Sequence, residues 1–159
     1  GVVVVLGVMQ SHAASEEVQQ NALGVLRNIS DAAEGQEAIL VSRGVPLLLG
    51  TIRQHSAYDE IIELGLECLL NVSSVGEHNA AVLLLEGAVE TLHSPPLRQA
   101  SRALLRHLQQ RLATGDTLLG ALLRTSGVAF SELQLNVSVG LALLTPALPP
   151  ASAEGLQQP

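Results

Sequence analysis

Aromatic side chains are almost missing: the 159 residues hold one tyrosine, Tyr58, one phenylalanine, Phe130, and no tryptophan. A core without rings has to be built from Leu, Val, Ile and Ala, a palette that suits slim helices packed closely together. The same lack removes the stacking platforms on which single-stranded nucleic acids are held. Basic charge is scarce as well. Eight Lys and Arg against fifteen Asp and Glu leave a formal net charge of −7, the wrong sign for a surface that neutralises phosphates, so no nucleic-acid partner is expected.

Cysteine is down to one residue, Cys68, which rules out an internal disulfide framework and fits a reducing compartment, cytoplasmic or nuclear. His12, His55, His78, His93 and His107 are scattered, and none stands in an H-E-x-x-H or C-x-x-C arrangement; neither a metal nor a cofactor is expected. His12 and His55 recur at the repeat offset described below, which points to a turn between helices. No phosphate loop and no protein-kinase signature is present, so this segment is expected to be non-catalytic. Cys68 lies on an apolar helix stripe and reads as a buried small hydrophobe rather than a nucleophile. Arg98 precedes Ser101 in a basophilic phosphorylation context, yet the site falls in an expected helix. Three N-x-S sequons begin at Asn28, Asn71 and Asn136; the repeat explains the first two better than glycosylation does.

Long apolar runs are also lacking. Residues 2–9 are too few to span a bilayer, and 128–147 carry Ser131, Glu132, Gln134, Asn136 and Ser138. No membrane span is expected.

What is abundant is aliphatic: 47% of residues are hydrophobic and mean hydropathy is +0.35, which implies a folded core. The pattern repeats. Gly1-Val2, Gly44-Val45, Gly87-Ala88 and Gly127-Val128 recur at spacings of 43, 43 and 40. At the offset of 43, Val18 matches Ile61, Leu23 matches Leu66, Leu26 matches Leu69, Asn28 matches Asn71 and Ser30 matches Ser73. A fixed period of this length is the mark of stacked helical repeats.

Each unit reads as three helices. Apolar residues at 18, 22, 25, 26 and 29 put one stripe on a helix over 15–30, with Ser15 placed to cap it. The matching helix is expected over 58–73, with Asp59 or Ser56 as cap. Short helices over 36–42 and 79–85 end at Gly44 and Gly87, which are expected to take the left-handed conformation. Pro46 then falls in the first turn of a helix over 45–54, where its missing N–H costs nothing; 2–10 is the counterpart one unit earlier. The third copy is degraded: 88–93 is cut short by Pro95-Pro96, and a helix over 97–112 carries His107 where the others have Asn. Helices are expected over 116–125 and 130–144, and 146–159 reads as a disordered Pro, Ala and Gln tail.

The chain therefore divides into a partial unit 1–30, a full unit 31–73, a degenerate unit 74–112, divergent helices over 113–145 and the tail. No unit of about forty residues buries its own apolar faces, so stacking stabilises each one. The chain opens mid-unit on Gly1, with Val2, Val3, Val4, Val5, Leu6 and Val8 uncovered. It is expected either to continue at that end or to associate there with another copy.

The stretch 18–30, followed by 36–39 and Gly44-Val45-Pro46-Leu47-Leu48, resembles the armadillo repeat, and 61–92 resembles it again. The resemblance implies an all-α, right-handed solenoid of roughly three degenerate three-helix repeats, incomplete at its N-terminus. It implies a protein-interaction scaffold whose third helices line a concave groove, with Asn28 and Asn71 in the position that holds an extended peptide and His107 replacing Asn in the third copy. The nuclear-import adaptors of the family place tryptophan four residues earlier, where this chain has Gly24, Glu67 and Ala103, so recognition by aromatic slots is not expected. A further turn back lie Gln20, Glu63 and Gln99. Glu63 and Glu67 make the middle of the groove acidic, which suits a partner segment carrying Lys or Arg; the alternative is a solvated helix face. The rival functional expectation is a regulatory or targeting tail of a larger enzyme such as a kinase-like protein.

Overall fold

A computed structural model describes residues 1–74, 79, 80, 82, 83, 86–92, 97 and 99–112. Every regular element among them is helical, so the described chain is all-α. The expected helices over 116–125 and 130–144 and the tail 146–159 lie outside the described residues. In order the elements are α1 (Val2–Ser11), α2 (Glu16–Ile29), α3 (Ala33–Val41), α4 (Gly44–Gln54), α5 (Asp59–Ser74), α6 (Ala88–Leu92) and α7 (Arg102–Leu112).

Local chemistry sets the ends of these helices. The hydroxyl of Ser15 accepts from the Val18 N–H at 3.4 Å at the start of α2; Glu16 and Glu17 in the first turn and Arg27 in the last complement the helix dipole. α4 begins at Gly44, which leaves Pro46 within its first turn. α3 starts at Ala33, three residues before the sequence places it. The reason is a tight connection from α2: Gln36 donates its side-chain amide to the Ser30 carbonyl at 2.8 Å, closing the end of the preceding helix.

One corner differs from expectation. At the α3–α4 junction the left-handed residue is Arg43, with φ 59, not Gly44. Gly44 is needed for space instead: a Cβ there would stand 2.7 Å from Ile39 Cγ2 and 2.9 Å from the Ile39 carbonyl oxygen. At the next corner Gly87 does carry the positive φ, 77°. The third copy is also corrected, since its long helix begins at Arg102 rather than 97. Leu97 and Gln99 lie in turns ahead of it, closed by Ser101 N–H to Leu97 O at 2.8 Å and Arg102 N–H to Gln99 O at 3.4 Å.

α2 packs along α5, and α5 packs against α7; α1 lies against α2 and α4 against α5, while α3 bridges the two pairs. Met9, Leu23, Leu26, Ile39, Leu48, Ile52, Ile61 and Leu69 belong to one apolar core in which each is fully buried. The buried stripe of α2 runs through Gln19, Ala22, Leu23 and Leu26, and Val25 stands outside it, 46% exposed. Gln19 is interior because its amide donates to the Met9 and His12 carbonyls at 2.9 and 3.0 Å, tying the end of α1 to α2, and its oxygen accepts from Thr51 at 3.4 Å.

Hydrogen bonds also join residues about one repeat apart. His55 Nε2 lies 2.8 Å from the Ala13 carbonyl and Gln54 donates to the same oxygen at 3.2 Å. Asn71 donates to Ser30 Oγ at 3.0 Å; at the shorter separation of 34 positions, His107 Nε2 lies 3.3 Å from the Ser73 carbonyl. His12 and His55 both sit at helix C-caps, the turns in which the sequence places them.

Candidate peptide groove

The nine groove residues fall on the α2, α5 and α7 layer. Gln20, Gly24 and Asn28 are on α2, Glu63, Glu67 and Asn71 on α5, Ala103 and His107 on α7. Gln99 is exposed but stands in the turn before α7 rather than on the helix. Successive members on each helix are four residues apart, which keeps them on one face.

The structure brings Glu63, Glu67 and Ala103 together. They line a pocket of about 250 Å3 between α5 and the start of α7, whose remaining wall is Leu66, Leu70, Ala100 and Leu104. Gln20, Gly24, Asn28, Asn71, Gln99 and His107 are not part of it. The apolar floor is a feature the sequence reading missed. Its signal was the pair Leu66 and Leu70, one turn apart and flanking Glu67.

Two further contacts define the electrostatics. Arg27 Nε lies 2.9 Å from Glu67 Oε2, with the two side chains 43% and 55% exposed, so a cation from α2 already occupies one of the two carboxylates. Arg27 also donates to Asn28 Oδ1 at 3.3 Å. Asn71 is engaged too: besides Ser30 Oγ its amide donates to Asp31 Oδ1 at 3.2 Å. Both asparagines therefore make contacts within the chain, and at the third position His107 reaches the Ser73 carbonyl in the last turn of the preceding long helix, whereas Asn71 reaches Ser30 just past the end of α2.

Cys68 is fully buried beneath this layer. Burial pushes its thiol up to about 11, against the opposing effect of a hydrogen bond with Ser30; a thiol so held is not a nucleophile near neutral pH. At the α2–α5 edge, the Tyr58 hydroxyl is hydrogen-bonded to Glu16, and that bond raises its pKa. Ser101 is fully buried, which does not suit a kinase substrate. Among the described residues no cluster of His, Cys, Asp or Glu could hold a metal ion, and no helix is long and apolar enough to cross a membrane. His78 and His93 lie outside the described residues.

No known family model matches the sequence, and no curated protein does. Among solved structures, the crystal structure of an engineered protein, a Northeast Structural Genomics Consortium target, is similar, with a TM-score of 0.57 at 19% sequence identity. The match covers 90% of this chain and 62% of that one, so the chain spans under two thirds of its length. At that identity the likeness concerns the course of the backbone alone.

Proposed function

We propose that the chain is an armadillo-like solenoid module, non-catalytic, that binds an extended segment of a partner protein across α2, α5 and α7, with a lysine or arginine of that segment seated between α5 and α7. The observation that carries this reading is the pocket itself. Its floor of Leu66, Leu70 and Leu104 accepts an alkyl stem, and the carboxylates of Glu63 and Glu67 stand where the cationic head emerges. Long basic side chains divide in that way, the stem along apolar surface and the charge in water. Arg27 supplies an internal precedent by laying its guanidinium on Glu67. The solenoid part rests on the period of 43 and on hydrogen bonds that join residues 40 to 42 positions apart.

The test is fluorescence anisotropy with two labelled peptide pools that are alike except for a central Lys or a central Glu. The Lys pool is expected to bind, and Glu63→Lys to abolish that binding while leaving the melting temperature unchanged. Equal binding of both pools, or a Glu63→Lys variant that binds like the parent, overturns the proposal.

A further inference from the structure

Basic side chains are few among the described residues, and most stand singly. Arg43 lies at the α3–α4 corner and Arg53 on α4, while Arg27 is paired with Glu67. Arg102 and Arg106 are the one place among the described residues where two arginines stand a turn apart on one helix, and both are exposed. They belong to the helix that already supplies Ala103 and Leu104 to the pocket.

Helix geometry fixes the side of the pocket on which they lie. At about 100° per residue, Leu104 is turned from Ala103 toward α5 and the core, where it is buried. Arg106 and Arg102 are turned from Ala103 the other way, by roughly 60° and 100°. Crossing this layer from α5, the surface runs from the carboxylates of Glu63 and Glu67 over the pocket and Ala103 to the two guanidinium groups. Arg102 is steadied there by Gln99, whose side-chain oxygen accepts from Arg102 Nη2 at 2.9 Å. Opposite charges thus stand on opposite sides of one apolar pocket.

The repeat supplies a precedent for what such an arginine holds. Arg106 stands directly before His107 as Arg27 stands directly before Asn28, and Arg27 reaches beyond its own helix to a glutamate carboxylate at 2.9 Å. Among the described residues no carboxylate lies within ion-pair distance of Arg102 or Arg106. Two planar guanidinium forks a turn apart fit such a group. Resting on the reading of the groove given above, we propose that the partner segment carries an acidic residue as well as a basic one: its Lys or Arg enters the pocket, and an Asp or Glu two residues away is held by Arg102 and Arg106. The spacing follows from chain geometry. In an extended segment, residues i and i+2 point to the same side about 7 Å apart, enough to cross α7 at Ala103, where the side chain in the way is only a methyl group.

Fluorescence anisotropy with three labelled peptide pools tests this, each pool with a central Lys: one has Glu two residues before it, one has Glu two residues after it, and one has Gln at both places. At low ionic strength at least one Glu pool is expected to bind about threefold to tenfold more tightly than the Gln pool. Arg106→Glu reverses that preference, so that Lys in place of the favoured Glu becomes the tighter ligand, and Arg102→Glu acts in the same direction. Circular dichroism melts check that both variants fold, and if one does not, the other decides. Lysine-dependent binding in which neither Glu pool exceeds the Gln pool, or a preference that survives the charge reversals, overturns this inference and leaves the lysine pocket standing. Failure of every pool to bind removes the pocket reading and this inference together.

Discussion

The α1–α2 pair and the α4–α5 pair carry one sequence pattern in two settings. Met9 and Ile52, Leu23 and Leu66, and Leu26 and Leu69 hold equivalent places and are buried in both. Val8 and Val25 are 42% and 46% exposed, yet their counterparts Thr51 and Cys68 are inside, at 5% and 0%. Threonine is the more polar residue and is the one withdrawn from water. Burial here follows the position of a helix pair relative to its neighbour, and the second pair owes its inner face to the first. Stability should therefore concentrate in α5, which packs against α2, α3, α4 and α7, and thin out toward α1.

The largest effect is expected at Leu69, fully buried at the middle of α5. Leu69→Ala should cost roughly 2–5 kcal/mol, a large fraction of the stability of a small domain. Val25→Ala, on the exposed side of α2, should stay within about 0.5 kcal/mol. Chemical denaturation of both variants checks this, and equal losses would break the contrast between the pairs.

A finer test uses a close approach at which the two pairs carry different residues. Gly65 sits against Ile52 so closely that a Cβ would lie 2.7 Å from Ile52 Cγ1; the equivalent residues in the first pair are Ala22 and Met9, both buried. A small residue with a stiff branched partner is exchanged for a larger one with a flexible partner. Gly65→Ala should destabilise by about 1–3 kcal/mol through overpacking, and Ile52→Met in the same chain should recover much of that loss. Additive losses in the double variant would show that the two sites do not share one contact.

These contrasts also show which features could be read in advance. The period, the fully buried Leu26 and Leu69, the Ser15 cap and the first-turn Pro46 are legible because each depends on spacing or on a local backbone rule. Gln19 is not, because a glutamine enters a core only when carbonyls of another helix, here those of Met9 and His12, meet its amide. The exchange between Arg43 and Gly44 is hidden for a similar reason: glycine is wanted there by the nearness of Ile39, a tertiary fact, while the left-handed residue falls one place earlier. Of the pocket between α5 and α7, the two acidic residues were visible. Its apolar floor and the reach of Arg27 across to Glu67 were not, since both arise between helices.

Cys68 and Val25 sharpen the comparison by chemistry. The Cys68 thiol is held up to about 11 from an ordinary value near 9, chiefly by burial. A raised folded-state value means that the unfolded chain loses its proton first. Stability is thus fully present below about 9 and falls by up to about 1.4 kcal/mol per pH unit from there toward 11. Against a Cys68→Ala reference, the excess loss over that window measures it. Iodoacetamide labelling near neutral pH should leave Cys68 unmodified in the native chain, whereas Val25→Cys, combined with Cys68→Ala, should be labelled readily. Equal rates at the two positions would mean that the second inner face is not closed.

A small effect on stability, and the most telling one for function, is expected at Arg27. Its ion pair with Glu67 is half exposed on both sides, so Arg27→Ala should change stability by no more than about 1 kcal/mol, less in high salt. Its counterpart in the second pair is Leu70, part of the pocket floor, which means that a cation stands on one helix where the next offers a greasy wall. Removing that cation returns Glu67 to the pocket without disturbing Leu66, Leu70 or Leu104. The Arg27→Ala variant should then bind a Lys-centred peptide pool more tightly than the parent does, by about threefold to tenfold. Unchanged affinity at low ionic strength would show that Glu67 takes no part in holding the partner, leaving Glu63 alone on the rim.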